Sequence, residues 1–423
     1  MEVQRYKQYI DILREELIPA MGCTEPIALA YAAAVGRQEL GCLPERILAR
    51  VSSNIIKNVK SVVVPNTGGL RGIPAAVAAG AVAGDSGKKL EVISRVTAAQ
   101  IAAISAYLAE NRISVENIMS GFVFDIELRM EAGTDNVLVR IVGNHTNLVQ
   151  LVHNGKKLID LPVTEQKNEN RTDRSILSVA QILEFADTLR PEDVSEIFDR
   201  QIAYNWAIAE EGMKHPYGAN IGKVLRTSYG EGVSNRARYM AAAGSDARMN
   251  GCDLPVVINS GSGNQGITAS VPVIVYAQEL GKDREALYRA LAVSNLCTIH
   301  IKSGIGTLSA YCGAVTAGCG AAAGIAYLNG GGLDEVKHTL VNAMAIDSGI
   351  ICDGAKASCA AKIASAVDAG LLGYQMYMQG NEFLSGDGIV KKNVEETIST
   401  VGSLAHNGMC DTDVEILRLM LED

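Results

Sequence analysis

The chain changes its hydrophobic rhythm twice. Residues 3–20 carry apolar side chains at Val3, Tyr6, Ile10, Leu13 and Leu17, the spacing of one helix face. The rhythm stops at MGCTEP. Thr24 is placed there to cap a second helix through IALAYAAAVGRQEL, with Glu25 and Pro26 in its first turn. From about 44 to 163, short β-like runs take over: RILARVSS, SVVVP, LEVISRV, GFVFDIELRM, NVLVRIVG and NLVQLVH. His153-Asn154-Gly155-Lys156 reads as a hairpin turn. Two helices interrupt these runs. One starts near Pro74, and the other opens on the capping-box pattern Thr97-Ala98-Ala99-Gln100. Residues 164–175, TEQKNENRTDRS, are polar and without period, so they read as a linker. Helical spacing then dominates to the end, apart from the strand-like LPVVIN and a Gly/Ser/Asn loop at 259–266. The stretches 312–328 and 355–370 are rich in Ala and Gly nearly all round, which predicts helices buried among other helices.

These patterns predict an α+β protein. A small α+β domain at 44–163, with a mainly antiparallel sheet, is followed by a mostly α-helical domain at 176–423 with Ala/Gly-rich buried helices. The N-terminal helices of residues 1–43 are expected to pack on the helical domain. At 423 residues the chain can bury a large core. Lys and Arg number 38 against 47 Asp and Glu, a net charge of −9. An acidic chain with no basic run is a poor match for nucleic acid or for anionic membrane. The charged first residues lack the apolar core of an export signal, and no stretch has the hydrophobicity of a membrane span. The expected setting is the cytoplasm.

Nine cysteines then redirect attention to chemistry. An odd number without an export signal argues against a disulfide framework. Seven of the nine follow residue 250, mostly among Gly, Ala and Ser, so a metal or cluster site is worth weighing. Cys23 sits just before a helix start, where the helix dipole favours a thiolate. Cys297, Cys312, Cys319, Cys352 and Cys359 lack the tight C-x2-C spacing of zinc knuckles and common ferredoxins. Each of them alone reads as readily as a small buried hydrophobe. Ser260-Gly261-Ser262-Gly263-Asn264-Gln265-Gly266 can converge backbone N–H groups on an anion, with a helix able to start from Ile267 onward. It could equally be an ordinary glycine-rich turn. Lys302 and Lys356 lie near cysteines in apolar surroundings, where burial can lower a lysine's pKa and make it a base. Both could also be helix-end lysines reaching to solvent. His145, His153 and His338 read as surface or turn residues without a role.

GCTEPIALAYAAA, VPNTGG, INSGSGNQG, SAYCGAV and CDGAKASC, taken in order, resemble the L-cysteine desulfidases. That family is related to the alpha-chain domain of iron–sulfur L-serine dehydratases. The resemblance runs from Gly22 to beyond Cys359. It implies β-elimination without pyridoxal phosphate, turning L-cysteine into hydrogen sulfide, ammonia and pyruvate. It implies a [4Fe–4S] cluster held by Cys23, Cys312 and Cys352, with Cys359 as a possible substitute. One iron left open would act as a Lewis acid. Lys302 or Lys356 is then the expected base. Ser260, Ser262, Asn264 and Gln265 would hold the small amino-acid substrate, with further contacts from Asn66 and Thr67. In the related serine dehydratases a cysteine stands at about the place of Gln265, so their ligand pattern is not reproduced. The family and the Ala-rich helices together suggest a homodimer.

Three other readings compete. L-serine could be the substrate. SGSGNQG also resembles the phosphate loop of pyridoxal-phosphate dehydratases, but Lys223, the nearest upstream lysine, lacks the expected context. The chain could also be a non-catalytic binder of a cluster or small molecule.

Overall fold

In the computed structural model the described residues are 1–163, 171–306 and 309–422. The chain opens with α1 (Val3–Glu16), the short β1 (Pro19–Met21) and α2 (Thr24–Leu40). A sheet unit follows: β2 (Arg46–Val51), α3 (Ser53–Val59), α4 (Gly72–Ala83), α5 (Ala98–Ala109), β3 (Ile113–Asn117), β4 (Asp125–Ala132), β5 (Asp135–Val142), β6 (Leu148–His153) and β7 (Lys156–Asp160). Its six strands are ordered β3-β2-β4-β5-β6-β7. Every pairing is antiparallel except β2 with β3, so the mainly antiparallel α+β expectation is met. Asn154 and Gly155 both take positive φ in the β6–β7 turn, as the hairpin pattern requires. Both capping-box hydrogen bonds at Thr97 are present.

The helical part comprises α6 (Val179–Thr188), α7 (Pro191–Lys214), α8 (Ile221–Tyr229), α9 (Val233–Met249), β8 (Pro255–Val257), α10 (Gly263–Glu279), α11 (Arg284–Ile305), α12 (Gly313–Leu328), α13 (Leu333–Asp347), α14 (Cys359–Met378), α15 (Val394–Ser403) and α16 (Cys410–Leu421). As the uniform Ala/Gly pattern predicts, α12 is buried along nearly its whole length. A Cβ on Gly318 would come 2.4 Å from the carbonyl oxygen of Ala366, so the small residue is what lets α12 and α14 approach.

Several sequence expectations are corrected. Only α1 packs with the helical core. The apolar face of α2 joins β2, β4 and β5 in the core of the sheet unit. Cys23, not Thr24, stands at the N-cap position of the second helix; Thr24 is its first residue, and no side chain makes a capping bond there. SVVVP is not a strand. Val62 O accepts from Gly72 N–H and Val64 N–H donates to Leu70 O, closing a loop after α3. LEVISRV folds as a 3₁₀ stretch and turns. The helix after the glycine loop begins at Gly263 rather than Ile267, and the helix placed at 355–370 runs from Cys359 to Met378. Of the linker at 164–175, residues 164–170 lie outside the described residues, and Arg174–Ile176 forms one 3₁₀ turn. Among the described residues no helix is long and apolar enough to cross a membrane.

Candidate functional site

Short strands and turns hold the cysteine-bearing loops together. β1 pairs with β8, which ties the segment before Cys23 to the segment before Ser260. Tyr311 bridges Ile351. On either side, Cys312 N–H donates to Ile350 O at 3.1 Å and Cys352 N–H to Ala310 O at 2.6 Å. These bonds bring Cys312 and Cys352 side by side although they are 40 residues apart in the chain. Cys359 then packs against Cys23 in a small apolar group with Val62, Met249 and Ala355. Four distant cysteines are thereby gathered at one place. Cys297 and Cys319 are instead buried in the helical core.

Three of the four thiols stand at helix starts. Cys23 stands at the N-cap position of α2, Cys312 at that of α12, and Cys359 is the first residue of α14. A helix N-terminus stabilises a thiolate. Burial dominates the free thiols, however. It pushes Cys23 and Cys312 each up to about 12, and Cys359 upward as well. Left alone, these thiols stay protonated at neutral pH, so binding a metal there would release protons. Among the described residues no three His, Cys, Asp or Glu side chains lie as a single metal ion needs them. A four-iron cluster is a larger body that takes thiolates at separate corners. The donor set, soft sulfurs from helix starts inside an apolar surround, fits that group in its chemistry.

Lys302 lies in the last turn of α11 and is only 6% exposed. Burial lowers it to about 8, opposed by the nearby Cys352 and Cys312 sulfurs and reinforced by the Lys57 charge. Among the described residues it has no ion-pair partner, so its nitrogen is available to take a proton. Lys356 differs. It is paired with Asp353 at 2.5 Å and donates to the Asp353 and Gly354 carbonyls. Lys362 shares the same carboxylate.

The Ser260–Gly266 loop lies beside Cys23. Thr24 Oγ1 donates to Gly261 O at 3.2 Å. Ser260 adopts a φ of 48° and its hydroxyl donates to Asn259. Asn264 accepts from Ser245 and from Arg248 Nη1 at 3.1 Å. Gln265 accepts from Thr316 at 3.2 Å, and its amide packs on Gly313 beside Cys312. Asn66 and Thr67 are committed elsewhere: Asn66 Nδ2 donates to Ile93 O and Thr67 Oγ1 to Val64 O. Their loop still borders the group, because Pro65 lies against Gly22.

Four further residues escaped the sequence reading. Lys57 of α3 is 3% exposed and pairs with Asp413 of α16. Arg248 of α9 is 4% exposed. Glu25 accepts from Asn58 at 3.2 Å and from Thr24 at 3.1 Å. His145, expected to be a turn residue without a role, stacks edge-on to Phe124 and borders Gly261. Burial lowers its pKa below the usual histidine value, opposed by Glu25 and aided by Arg248. GNHTN reads as a turn between two strand-like runs, and no motif flags Lys57, Arg248 or Glu25 as functional. A charge at the end of the Ala-rich stretch YMAAAGSDAR is the signal that could have found Arg248.

Comparison with known proteins agrees with this frame. A family model described as the serine dehydratase alpha chain matches residues 87–418. A UPF0597 protein of Desulfitobacterium hafniense is 58% identical over 416 residues, covering 98% of this chain and 97% of its own. Another, from Treponema denticola, is 46% identical over the full length of both chains. A third, from Vibrio campbellii, is 38% identical over 99% of each. With a buried group of thiols, a buried lysine and this match over most of its length, the chain belongs to the serine dehydratase alpha-chain family.

Proposed function

We propose that the protein is a lyase that eliminates the β-substituent of a small amino acid, with L-cysteine as the substrate and hydrogen sulfide, ammonia and pyruvate as the products. The observation that carries this reading is the gathering of Cys23, Cys312, Cys352 and Cys359 beside Lys302, which is buried and has no ion-pair partner among the described residues. Cys23, Cys312 and Cys352 would hold a [4Fe–4S] cluster, with Cys359 as the substitute. When bound, that group supplies an electron-withdrawing centre for the substrate carboxylate and the leaving sulfur.

The remaining work falls to the chain. Lys302 Nζ takes the proton from Cα. The electron pair of that C–H bond becomes the Cα–Cβ double bond, and the Cβ–S bond breaks with its pair on sulfur. The aminoacrylate released then tautomerises and reacts with water to give ammonia and pyruvate. Of the two lysines, Lys302 is favoured because Asp353 already neutralises Lys356. The start of α10, with Ser260, Ser262, Asn264 and Gln265 around it, presents backbone N–H groups to the substrate. L-Serine, losing water in place of hydrogen sulfide, is the second reading, supported by the family match. The same view takes the enzyme as a cytoplasmic homodimer, for which native mass is the check.

Anaerobic purification with iron and sulfide analysis tests the proposal, followed by pyruvate and sulfide release from L-cysteine and pyruvate release from L-serine. Cys23→Ala, Cys312→Ala and Cys352→Ala are each expected to lose iron and turnover together. Full turnover in the triple variant would reject the cluster-based reading.

A further inference from the structure

Arg248 and Glu25 carry opposite charges beside the Ser260–Gly266 loop, which His145 also borders. Yet they do not join each other. Among the described residues neither forms an ion pair. Both are tied to the same short loop. Arg248 Nη1 donates to Asn264, while Thr24 bonds at once to Glu25 and to Gly261, three residues earlier in the loop. Arg248 is 4% exposed, and its Nε is buried without a hydrogen-bond partner among the described residues. The Nε2 of His145 is in the same condition. Burying a guanidinium with a donor unmet is costly unless a ligand supplies the acceptor. Two orphaned nitrogens beside one loop call for an oxygen anion. Glu25 accepts from Asn58 and Thr24 but has no cation partner among the described residues, so its charge can still take one.

We propose that Arg248 and Glu25 clamp the two charged ends of one α-amino acid, Arg248 with His145 taking the carboxylate and Glu25 taking the ammonium. This rests on the elimination reading above and names how its substrate is recognised. The charge layout selects a zwitterion over a molecule that carries only one of the two charges. A second carboxylate on the substrate would meet Glu25 and be repelled. An α-keto acid would satisfy Arg248 but leave Glu25 without its cation.

Calorimetric binding to the anaerobically purified protein tests the clamp, with L-alanine as a probe that has no leaving group. L-Alanine is expected to bind about tenfold or more tighter than propionate or pyruvate, the scale of one charge-assisted hydrogen bond. In Glu25→Gln that preference should collapse while propionate binding holds. In Arg248→Gln all three should weaken by about tenfold or more. Glu25→Gln is isosteric and keeps the clamp testable if Arg248→Gln fails to fold. Unchanged L-alanine affinity and unchanged preference in Glu25→Gln would overturn the proposal. L-Alanine bound as expected, with no product from any amino acid, would uphold the clamp and reject the elimination reading instead.

Discussion

Lys302 illustrates how surroundings remake a residue. Its neutral form is the one that accepts a proton, and burial brings its pKa down to about 8. Turnover is therefore expected to climb as pH rises through about 8 and to fade below it. Lys302→Arg, which stays protonated, should lose about 100-fold or more in kcat/KM. Near-normal activity in that variant, with the same rise, would place the base elsewhere. Asp246 makes the opposite case on stability. It is 1% exposed, and burial raises it to about 6, although it accepts from Gly222 N–H at 2.9 Å. Its charged form costs more in the folded chain than in the unfolded one. Stability should thus fall as pH rises from about 4 through about 6. Asp246→Asn is expected to be more stable by about 2 kcal/mol at pH 8, and no different near pH 4, in urea titrations. An equal response to pH in both proteins would refute this. The sequence marks Lys302 as a charge in apolar surroundings, and residue type fixes the direction in which burial would move it. It does not say how deeply either group is buried, because that depends on what packs around it.

Among the elements, the loop of CDGAK is held by one close approach. Gly354 has a φ of 93°, and a Cβ there would lie 2.2 Å from the carbonyl oxygen of Lys57. Gly354→Ala is expected to cost about 2 kcal/mol or more, because strain and a backbone clash act together. It should also lower iron content by moving Cys352 and Cys359 away from α3. A variant with wild-type denaturant midpoint and iron would show that the contact is not needed. Locally coded elements were readable in advance. The Thr97 box and the Asn154-Gly155 turn depend on bonds within four residues. SVVVP and LEVISRV were misread because β-branched residues favour strands only when a partner strand is available. Among the described residues no full strand pairs with them, only the single bridge of Val63 with Arg71, and Val62, Val63, Val64, Val92 and Ile93 are buried outside any strand instead.

For the molecule as a whole, the pairing of Lys57 with Asp413 joins the sheet unit to the last helix across 356 residues. The lysine side chain is 2% exposed and the carboxylate 18%. Removing one partner strands a buried charge, which typically costs about 3–5 kcal/mol. Asp413→Asn should therefore destabilise the protein by about 3 kcal/mol in urea unfolding. Lys57→Met combined with Asp413→Asn should recover much of that loss. If both variants match the wild type, α16 is not anchored by this pair.

The sequence alone determined the fold class, the antiparallel hairpins, the buried character of the Ala/Gly helices and the candidacy of the cysteines. Those features follow from periodicity, turn chemistry and residue type, which act over a few neighbours. Only the tertiary structure decided that Cys312 and Cys352 lie side by side, that Cys359 meets Cys23, and that α2 belongs with the sheet. It also decided that Arg248, Glu25 and His145 share one loop. Cys312 and Cys352 are 40 residues apart in the chain, and Cys23 and Cys359 are 336 apart. Their meeting is set by how two cores pack, and no local pattern encodes that.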